Sequence, residues 1–173
     1  FFEGSAHVPL LIMPPQGRSL PQNISVEAPT DLVDLYPTIL AMAGLSSPVS
    51  VSGKNLLEPV PMDRIFFGNS LNRNFCVMEE KVKLVYSAVG DHVLLFDLNT
   101  DPMEQHNLAE DPAWQERKAK LWKLLLEHTA QYTPEALDEK GQFLTYEAPH
   151  FPGDVPGRWF GFHYHDYSVD TFH

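Results

Sequence analysis

The stretch FFEGSAHVPLLIM, residues 1–13, joins a polar segment containing Gly4 to an unbroken apolar run. A short apolar run of this kind is typical of a strand that is buried on both faces of a parallel sheet. Chain starts are normally polar and frayed, whereas this one opens with two phenylalanines and leads directly into apolar sequence. We therefore expect residues 8–12 to form a central strand, and the chain to begin inside a domain.

Residues 32–43 contain the second clear pattern, in which apolar side chains recur at helical spacing. Asp31 precedes them as a capping residue, and Gly44 follows as a C-terminal stop. Because proline is tolerated only near a helix start, Pro37 places the beginning of the regular helix near Asp34, after an irregular turn. We expect this helix to pack on one face of a large sheet, and its two aspartates to act as caps rather than metal ligands.

Residues 49–61 have the composition of a linker, and beyond them the apolar pattern changes from helical to alternating. Short polar turns separate four apolar runs, so an antiparallel meander is the simplest topology. Asp111 and Pro112 then begin a helix whose apolar stripe extends to His128. Packing this one helix on one sheet buries the apolar face of each. The four predicted strands are residues 65–67, 75–78, 82–86 and 93–98.

The composition excludes several classes of function. The chain has 173 residues, of which 43% are apolar, enough for a domain with its own core. No apolar run approaches the roughly 18 residues of a membrane span, and the net charge of −11 disfavours nucleic acid as a partner. The single Cys76 excludes an internal disulfide and a cysteine-built zinc site. The compartment stays open between periplasmic, lysosomal or secreted, and cytoplasmic.

Four sequence motifs stand in order along the chain. They are FEGSAHVPLLI at residues 2–12, TDLVDLYPTILAMAG at 30–44, GKNLL at 53–57, and KLVY followed by LFDLNTDPMEQHNLA at 83–86 and 95–109. In order and spacing they resemble the second half of a sulfatase of the alkaline-phosphatase-like superfamily. The resemblance covers about residues 1–130 of the chain.

The resemblance implies an α/β fold in which residues 1–62 are the C-terminal end of an alkaline-phosphatase-like α/β sandwich domain. Residues 63–133 are then a small α+β subdomain, made of the four-stranded antiparallel sheet packed on one helix. Residues 134–173 form a C-terminal extension rich in aromatic residues. We expect this extension to be ordered, because disordered tails are poor in aromatic residues.

The resemblance also implies that the whole enzyme hydrolyses a sulfate ester, carried by a carbohydrate or an aryl group. In the family, a formylglycine made from Cys or Ser attacks sulfur, Ca²⁺ stabilises the developing charge, and a histidine protonates the leaving alcohol. The formylglycine motif is not found here, since Cys76 is followed by neither Pro nor Arg. We therefore expect a nucleophile and calcium ligands upstream of residue 1, in the N-terminal part of the same sulfatase, and no activity in this chain alone.

Two alternatives stay open beside the sulfatase. One is a phosphoesterase or phosphonate hydrolase of the same superfamily, which differs in its nucleophile motif and metal count. The other is a noncatalytic binding or assembly module. A homo-oligomer is compatible with each of these readings.

Three candidate substrate-binding residues lie in the first half of the chain. His7 stands where most relatives carry Arg, and it either contacts substrate or pairs with a neighbouring carboxylate. Asn72 and Arg73, together with Asn69, can provide planar recognition of an anionic sugar, and a solvated loop is the alternative. Glu3 is expected to make structural hydrogen bonds beside the Gly4 turn.

Three further candidates lie in the extension. Arg158 and the aromatic residues beside it are typical of a rim that covers a sugar ring and binds its carboxylate, and plain packing is the alternative. His163 and His165 alternate on an extended segment, so their side chains project to the same face. A metal site completed by Asp166 or His173 is the competing interpretation of these histidines.

Overall fold

The structure is a computed structural model that describes residues 1–13, 25–48 and 50–147. The chain divides into two compact units, one containing residues 1–7 and those from Phe67 onward, the other containing residues 8–66. In chain order the helices and strands are α1 (Glu3–Ala6), α2 (Leu35–Ala43), β1 (Phe66–Ser70), β2 (Asn74–Glu79), β3 (Val82–Ser87), β4 (His92–Asp97) and α3 (Gln115–Tyr132).

The four strands form one sheet in the order β1-β2-β3-β4, which confirms the predicted meander. Both β2 with β3 and β3 with β4 pair antiparallel, and Leu84 in the centre lies opposite Val77 and Leu95. The β2–β3 connection is a two-residue turn in which Glu80 and Lys81 have φ of 51° and 62°. Positive φ at both central residues matches the twist of the flanking strands, and this fixes the register.

One face of the sheet packs on α3, as the sequence predicts. Leu121 and Leu125 of the helix are fully buried, and Trp122 makes an edge-to-face contact with Tyr86 of β3, with ring centroids 4.9 Å apart. Since side chains alternate along a strand, Lys83 and Val85 point to the opposite face of the sheet. That second face is also buried, because Phe2 from the start of the chain covers Phe96 with ring centroids 5.9 Å apart.

The first part of the extension joins this core. Phe143 is buried and lies 4.6 Å from the ring of Phe75 and 4.7 Å from that of Tyr86. The amide of Tyr146 donates to the carbonyl of Ala88 at 2.8 Å, so the chain is held against the end of β3 by backbone hydrogen bonds. The division of the chain at residue 133 stays a prediction.

In the second unit, the helix start agrees with the sequence prediction in detail. A single 3₁₀ turn, Leu32–Asp34, precedes α2, and the side chain of Asp31 accepts from the amide of Leu32. Asp34 in turn accepts from the amide of Asp31, which completes a reciprocal capping box. The helix ends at Gly44, whose φ of 77° is the left-handed conformation of a C-terminal cap.

The strand predicted at residues 8–12 is wrong for this structure. Those residues belong to no helix or strand, and Leu11 is 90% exposed. A parallel strand needs a hydrogen-bonded neighbour on each side, and the only sheet in the described residues consists of β1 to β4. For the same reason, the large sheet expected beneath α2 is not found among the described residues. None of the helices described is long and apolar enough to cross a membrane.

Candidate functional site

A buried ion cluster joins the start of the chain to the sheet, and we call Lys83, Glu104, Glu3 and His7 the Lys83 cluster. Lys83 is 2% exposed, and its ammonium donates to Glu104 Oε1 at 2.9 Å, to Glu3 Oε1, and to the carbonyl of Phe1 at 2.9 Å. The three ammonium protons therefore each have an acceptor. The cluster holds α1 against the sheet by charge-assisted hydrogen bonds.

Opposite charges determine the ionisation of this cluster. Burial alone would lower the pKa of Lys83, but hydrogen bonds with Glu3 and Glu104 outweigh burial and raise that pKa above its ordinary value. Burial alone would raise the pKa of Glu3, and the hydrogen bond and charge of Lys83 instead hold it below its usual range. Lys83 and Glu3 are therefore both charged at neutral pH.

Glu104 reaches Lys83 from an unusual backbone conformation. Its φ is 55°, a left-handed value that is rare for a residue with a side chain, and Glu104 is 2% exposed. Its second carboxylate oxygen accepts from the amide of Glu3 at 2.5 Å. The ion pair and this amide together offset a conformational cost of roughly 1–3 kcal/mol.

His7 is the exposed end of the cluster. Its ring Nδ1 lies 3.0 Å from Glu3 Oε2, and its side chain is 79% exposed. The two alternatives that the sequence left open are therefore compatible in space, since one ring nitrogen is paired with a carboxylate while the ring faces solvent. Glu3 makes the hydrogen bonds expected of it.

Asn72 and Arg73 lie apart from the Lys83 cluster in sequence, in the β1–β2 turn. Asn72 has φ of 53° and donates from Nδ2 to Glu135 Oε1 at 2.9 Å, while its Oδ1 accepts from Asn69 at 2.7 Å. The Arg73 guanidinium lies over the ring of Tyr146, with Cζ 4.7 Å from the ring centroid. A guanidinium over an aromatic face makes a cation–π contact, and the N–H groups of a guanidinium are also suited to binding an anion.

Cys76 lies in β2, within the strand predicted at residues 75–78. It is 0% exposed, and burial raises the pKa of its thiol to about 12. A thiol with so high a pKa is neither a nucleophile nor a metal ligand at neutral pH. This is a structural cysteine.

The described residues do not fit a calcium site. They contain no group of three His, Cys, Asp or Glu side chains that could hold a metal ion. In the most buried aspartate, Asp34, both carboxylate oxygens accept hydrogen bonds from Arg64, at 2.5 and 2.9 Å. Calcium takes six to eight oxygen ligands, and both oxygens of Asp34 are already paired with Arg64.

The remaining candidates, Arg158, His163 and His165, lie outside the described residues. Sequence reasoning assigned no role to Lys83, Glu104 or Tyr146. Lys83 and Glu104 each stand within a quoted motif, but a lysine between Val82 and Leu84 in a strand is ordinarily solvent-facing, so the sequence gives no signal for a buried cation.

Comparisons with known proteins agree with the sequence motifs. Choline-sulfatase of Rhizobium meliloti is 34% identical over 166 residues, which cover 86% of this chain and 31% of that protein. Arylsulfatase K of Xenopus laevis is 37% identical over 128 residues, which cover 62% of this chain and 23% of the relative. No family model matches the chain.

One solved structure adds evidence on the fold. The crystal structure of a protein assigned as a sulfatase, from Bacteroides thetaiotaomicron, matches with a TM-score of 0.50 and 21% identity, over 62% of this chain and 27% of that one. The chain therefore shares an α/β fold with the matching part of that protein. In sequence, the chain is a homologue of the sulfatases. The chain spans only 31% of the choline-sulfatase and 23% of the arylsulfatase K.

Proposed function

We propose that this chain is the C-terminal part of a formylglycine-dependent sulfatase, and that the whole enzyme hydrolyses a sulfate ester. The observation that carries the proposal is the 34% identity to a choline-sulfatase over 86% of the chain. Similarity that extends over most of the chain favours a shared reaction class more than a shared fold does. The alternatives are a phosphonate hydrolase and a noncatalytic module, and the substrate comparison described below distinguishes each of them from a sulfatase.

In this proposal the two parts of the enzyme have different tasks. Residues upstream of this chain would provide the formylglycine nucleophile and the ligands of Ca²⁺, and a bound Ca²⁺ would supply electrostatic stabilisation of the sulfate. This chain provides residues 1–62 as the end of the catalytic domain, residues 63–133 as the small subdomain, and residues 134–173 as the extension. Its own side chains bind and orient the substrate.

The substrate class we propose is a sulfated carbohydrate, with simple aryl sulfates as smaller substrates. The support is the β1–β2 turn, where the Arg73 guanidinium on the Tyr146 ring can bind an anionic group of the sugar. Asn72 is held in place by Glu135 at 2.9 Å. Amide, carboxylate, guanidinium and aromatic ring are the groups that hydrogen-bond and stack on sugars.

The extension contributes to the same proposal through its sequence. Arg158 is proposed to bind a carboxylate or sulfate of the substrate, and His163 and His165 to contact its polar groups. An Arg158→Ala variant of the full-length enzyme is expected to lose roughly tenfold or more in kcat/KM on a sulfated oligosaccharide. A small aryl sulfate should be hydrolysed as before, and equal losses on both substrates would make Arg158 a structural residue.

The test of the proposed function compares three ester substrates of one aryl alcohol. The full-length enzyme, containing this chain and the residues that precede it, is assayed with 4-methylumbelliferyl sulfate, the corresponding phosphate, and a phosphonate monoester. We expect the sulfate to be the preferred substrate by kcat/KM, and the 173-residue chain alone to turn over none of them, because catalytic groups act as a unit. Preference for the phosphonate would favour the phosphonate hydrolase, and no turnover by the full-length enzyme would favour the noncatalytic module.

A further inference from the structure

The turn α1 is too short to hold its own conformation. It has four residues, Glu3–Ala6, none of them buried, and no side chain caps its N-terminus. One helical turn is unstable by itself, because the loss of backbone conformational entropy on forming it exceeds the stabilisation from a single hydrogen bond. The position of α1 therefore depends on what binds it.

Contacts with β1, β3 and the loop after β4 hold the segment that contains α1. Glu104 accepts from the amide of Glu3 at 2.5 Å, and Lys83 donates to the carbonyl of Phe1 at 2.9 Å. The ring of Phe1 lies against Gly68 of β1 so closely that an added Cβ there would be 2.6 Å from a ring carbon. Both polar contacts come from the Lys83 cluster, and they fix the backbone on which His7 is carried.

The same cluster also fixes the side chain of His7. Glu3 uses Oε1 for Lys83 and Oε2 for His7 Nδ1, the latter at 3.0 Å. Glu3 is 26% exposed at its side chain and His7 79%, whereas Lys83 and Glu104 are each 2% exposed. The cluster thus extends from the buried face of the sheet to solvent, where it presents the second ring nitrogen of His7.

We propose that Lys83 and Glu104 are positioning residues, which act through Glu3 to orient His7 as a substrate contact of the sulfatase. The inference rests on the proposed function. A histidine held by a carboxylate at Nδ1 presents Nε2 in one direction, toward a sulfate oxygen or a sugar hydroxyl. Neither Lys83 nor Glu104 touches the substrate in this arrangement.

The test is a double-mutant cycle in the full-length enzyme. Glu104→Gln keeps the shape of the side chain and removes its charge, and Glu3→Gln does the same one step nearer to His7. Each variant, and His7→Ala, is expected to reduce kcat/KM for the aryl sulfate by about tenfold. In the His7→Ala background, Glu104→Gln and Glu3→Gln should each change kcat/KM by less than about twofold, because they act through a side chain that is no longer there.

A matched control uses another exposed histidine that pairs with a carboxylate. His106 is 66% exposed, and its Nδ1 lies 3.5 Å from Asp101 Oδ2. Asp101 contacts the Lys83 cluster through its backbone carbonyl, which accepts from the amide of Glu104 at 3.1 Å, so removing the His106 ring leaves that contact in place. His106→Ala should leave kcat/KM unchanged. Melting temperatures of all variants show whether a loss of activity comes from a misplaced His7 or from unfolding of the protein. If Glu104→Gln unfolds the protein, the milder variant Glu3→Gln tests the same inference.

The outcomes distinguish this inference from the proposed function. A wild-type enzyme without sulfatase activity would overturn the proposed function and the inference with it. An active wild type in which His7→Ala has no effect would overturn the inference alone. Losses that multiply to about 100-fold in the double variants would also overturn it, since they would show that Glu3 and Glu104 act independently of His7.

Discussion

Asp34 and Arg64 form a bidentate ion pair across 30 residues of sequence, with Nη1–Oδ2 at 2.5 Å and Nη2–Oδ1 at 2.9 Å. The carboxylate is fully buried, and it also accepts from the amides of Lys54 at 2.7 Å and Asp31 at 2.8 Å. The Asp34 side chain therefore joins the start of α2 to the linker and to Arg64, two residues before β1. This carboxylate is one of two groups of α2 and its preceding turn that hold the linker, the other being Thr38 Oγ1, which accepts from the amide of Leu56 at 2.9 Å.

Removal of the Asp34 carboxylate should be strongly destabilising. Asp34→Ala leaves the guanidinium of Arg64, 17% exposed, without its partner, together with two amides that have lost their acceptor. We expect a loss of about 3–5 kcal/mol in the free energy of unfolding, measured with urea. Glu58→Ala, an exposed carboxylate bonded to Asn55, is the control and should change stability by less than about 0.5 kcal/mol. A loss as small as that of the control would contradict the prediction.

The same carboxylate makes the free energy of unfolding depend on pH in the acidic range. Burial alone would raise the pKa of Asp34, but hydrogen bonds from Arg64 and from two backbone amides hold it below its ordinary value. The folded state thus binds this proton more weakly than the unfolded state, so the stabilisation is complete above pH of about 4 and is lost as pH falls through the folded value. Urea midpoints of the wild type should fall more steeply below about pH 4 than those of Asp34→Asn. Parallel curves would show that Asp34 does not contribute.

Local signals predicted much of the fold correctly. Asp31 and Gly44 determine where a helix begins and ends through hydrogen bonds to residues within a few positions, so the sequence around them is sufficient. The alternating pattern of β3 similarly predicted a central strand with both neighbours.

Pairings between distant residues could not be predicted in this way. Lys83 meets Glu104 across 21 residues and Glu3 across 80, and a charged residue in an alternating strand is ordinarily solvent-facing. The sequence therefore predicted His7 as a candidate substrate-binding residue. It did not predict that the buried residues Lys83 and Glu104 hold His7 in place through Glu3. Residues 8–12 show the opposite error, because an apolar run predicts a strand only if neighbouring strands are available.

Phe143 should contribute strongly to the stability of the folded chain, although it lies after α3 and outside every helix and strand. Its ring lies within 4.6 to 5.5 Å of the rings of Phe75, Tyr86 and Trp122. Phe143→Ala should cost about 3–5 kcal/mol in the free energy of unfolding, from lost burial and the cavity that remains. Leu144→Ala, at a neighbouring side chain that is 37% exposed, should cost about 1 kcal/mol or less. Equal losses from both would show that residue 143 is not part of the core.

Cys76 should be unreactive in the folded chain. Its thiol is fully buried, and burial raises its pKa to about 12, so little thiolate exists at pH near 8. Labelling by a disulfide reagent should be about 100-fold slower or more in buffer than in urea. The 173-residue chain should also show no aryl sulfate turnover, and any turnover abolished by Cys76→Ala would contradict the structural assignment.

Hydrogen exchange should separate residues 8–12 from the core of the sheet. Val8 is 64% exposed and Leu11 90%, and neither belongs to a strand, so their amides should exchange within about tenfold of the unstructured rate. Leu84 and Leu121 are fully buried, in the centre of the sheet and in α3, and their amides should exchange only through global unfolding. In the full-length protein, residues 8–12 are expected to become protected as well, since partner strands would then accept and donate their hydrogen bonds. Fast exchange of these amides in both proteins would mean that residues 8–12 form no strand in the full-length protein. Strong protection in the 173-residue chain would mean that residues 8–12 form hydrogen bonds within this chain alone.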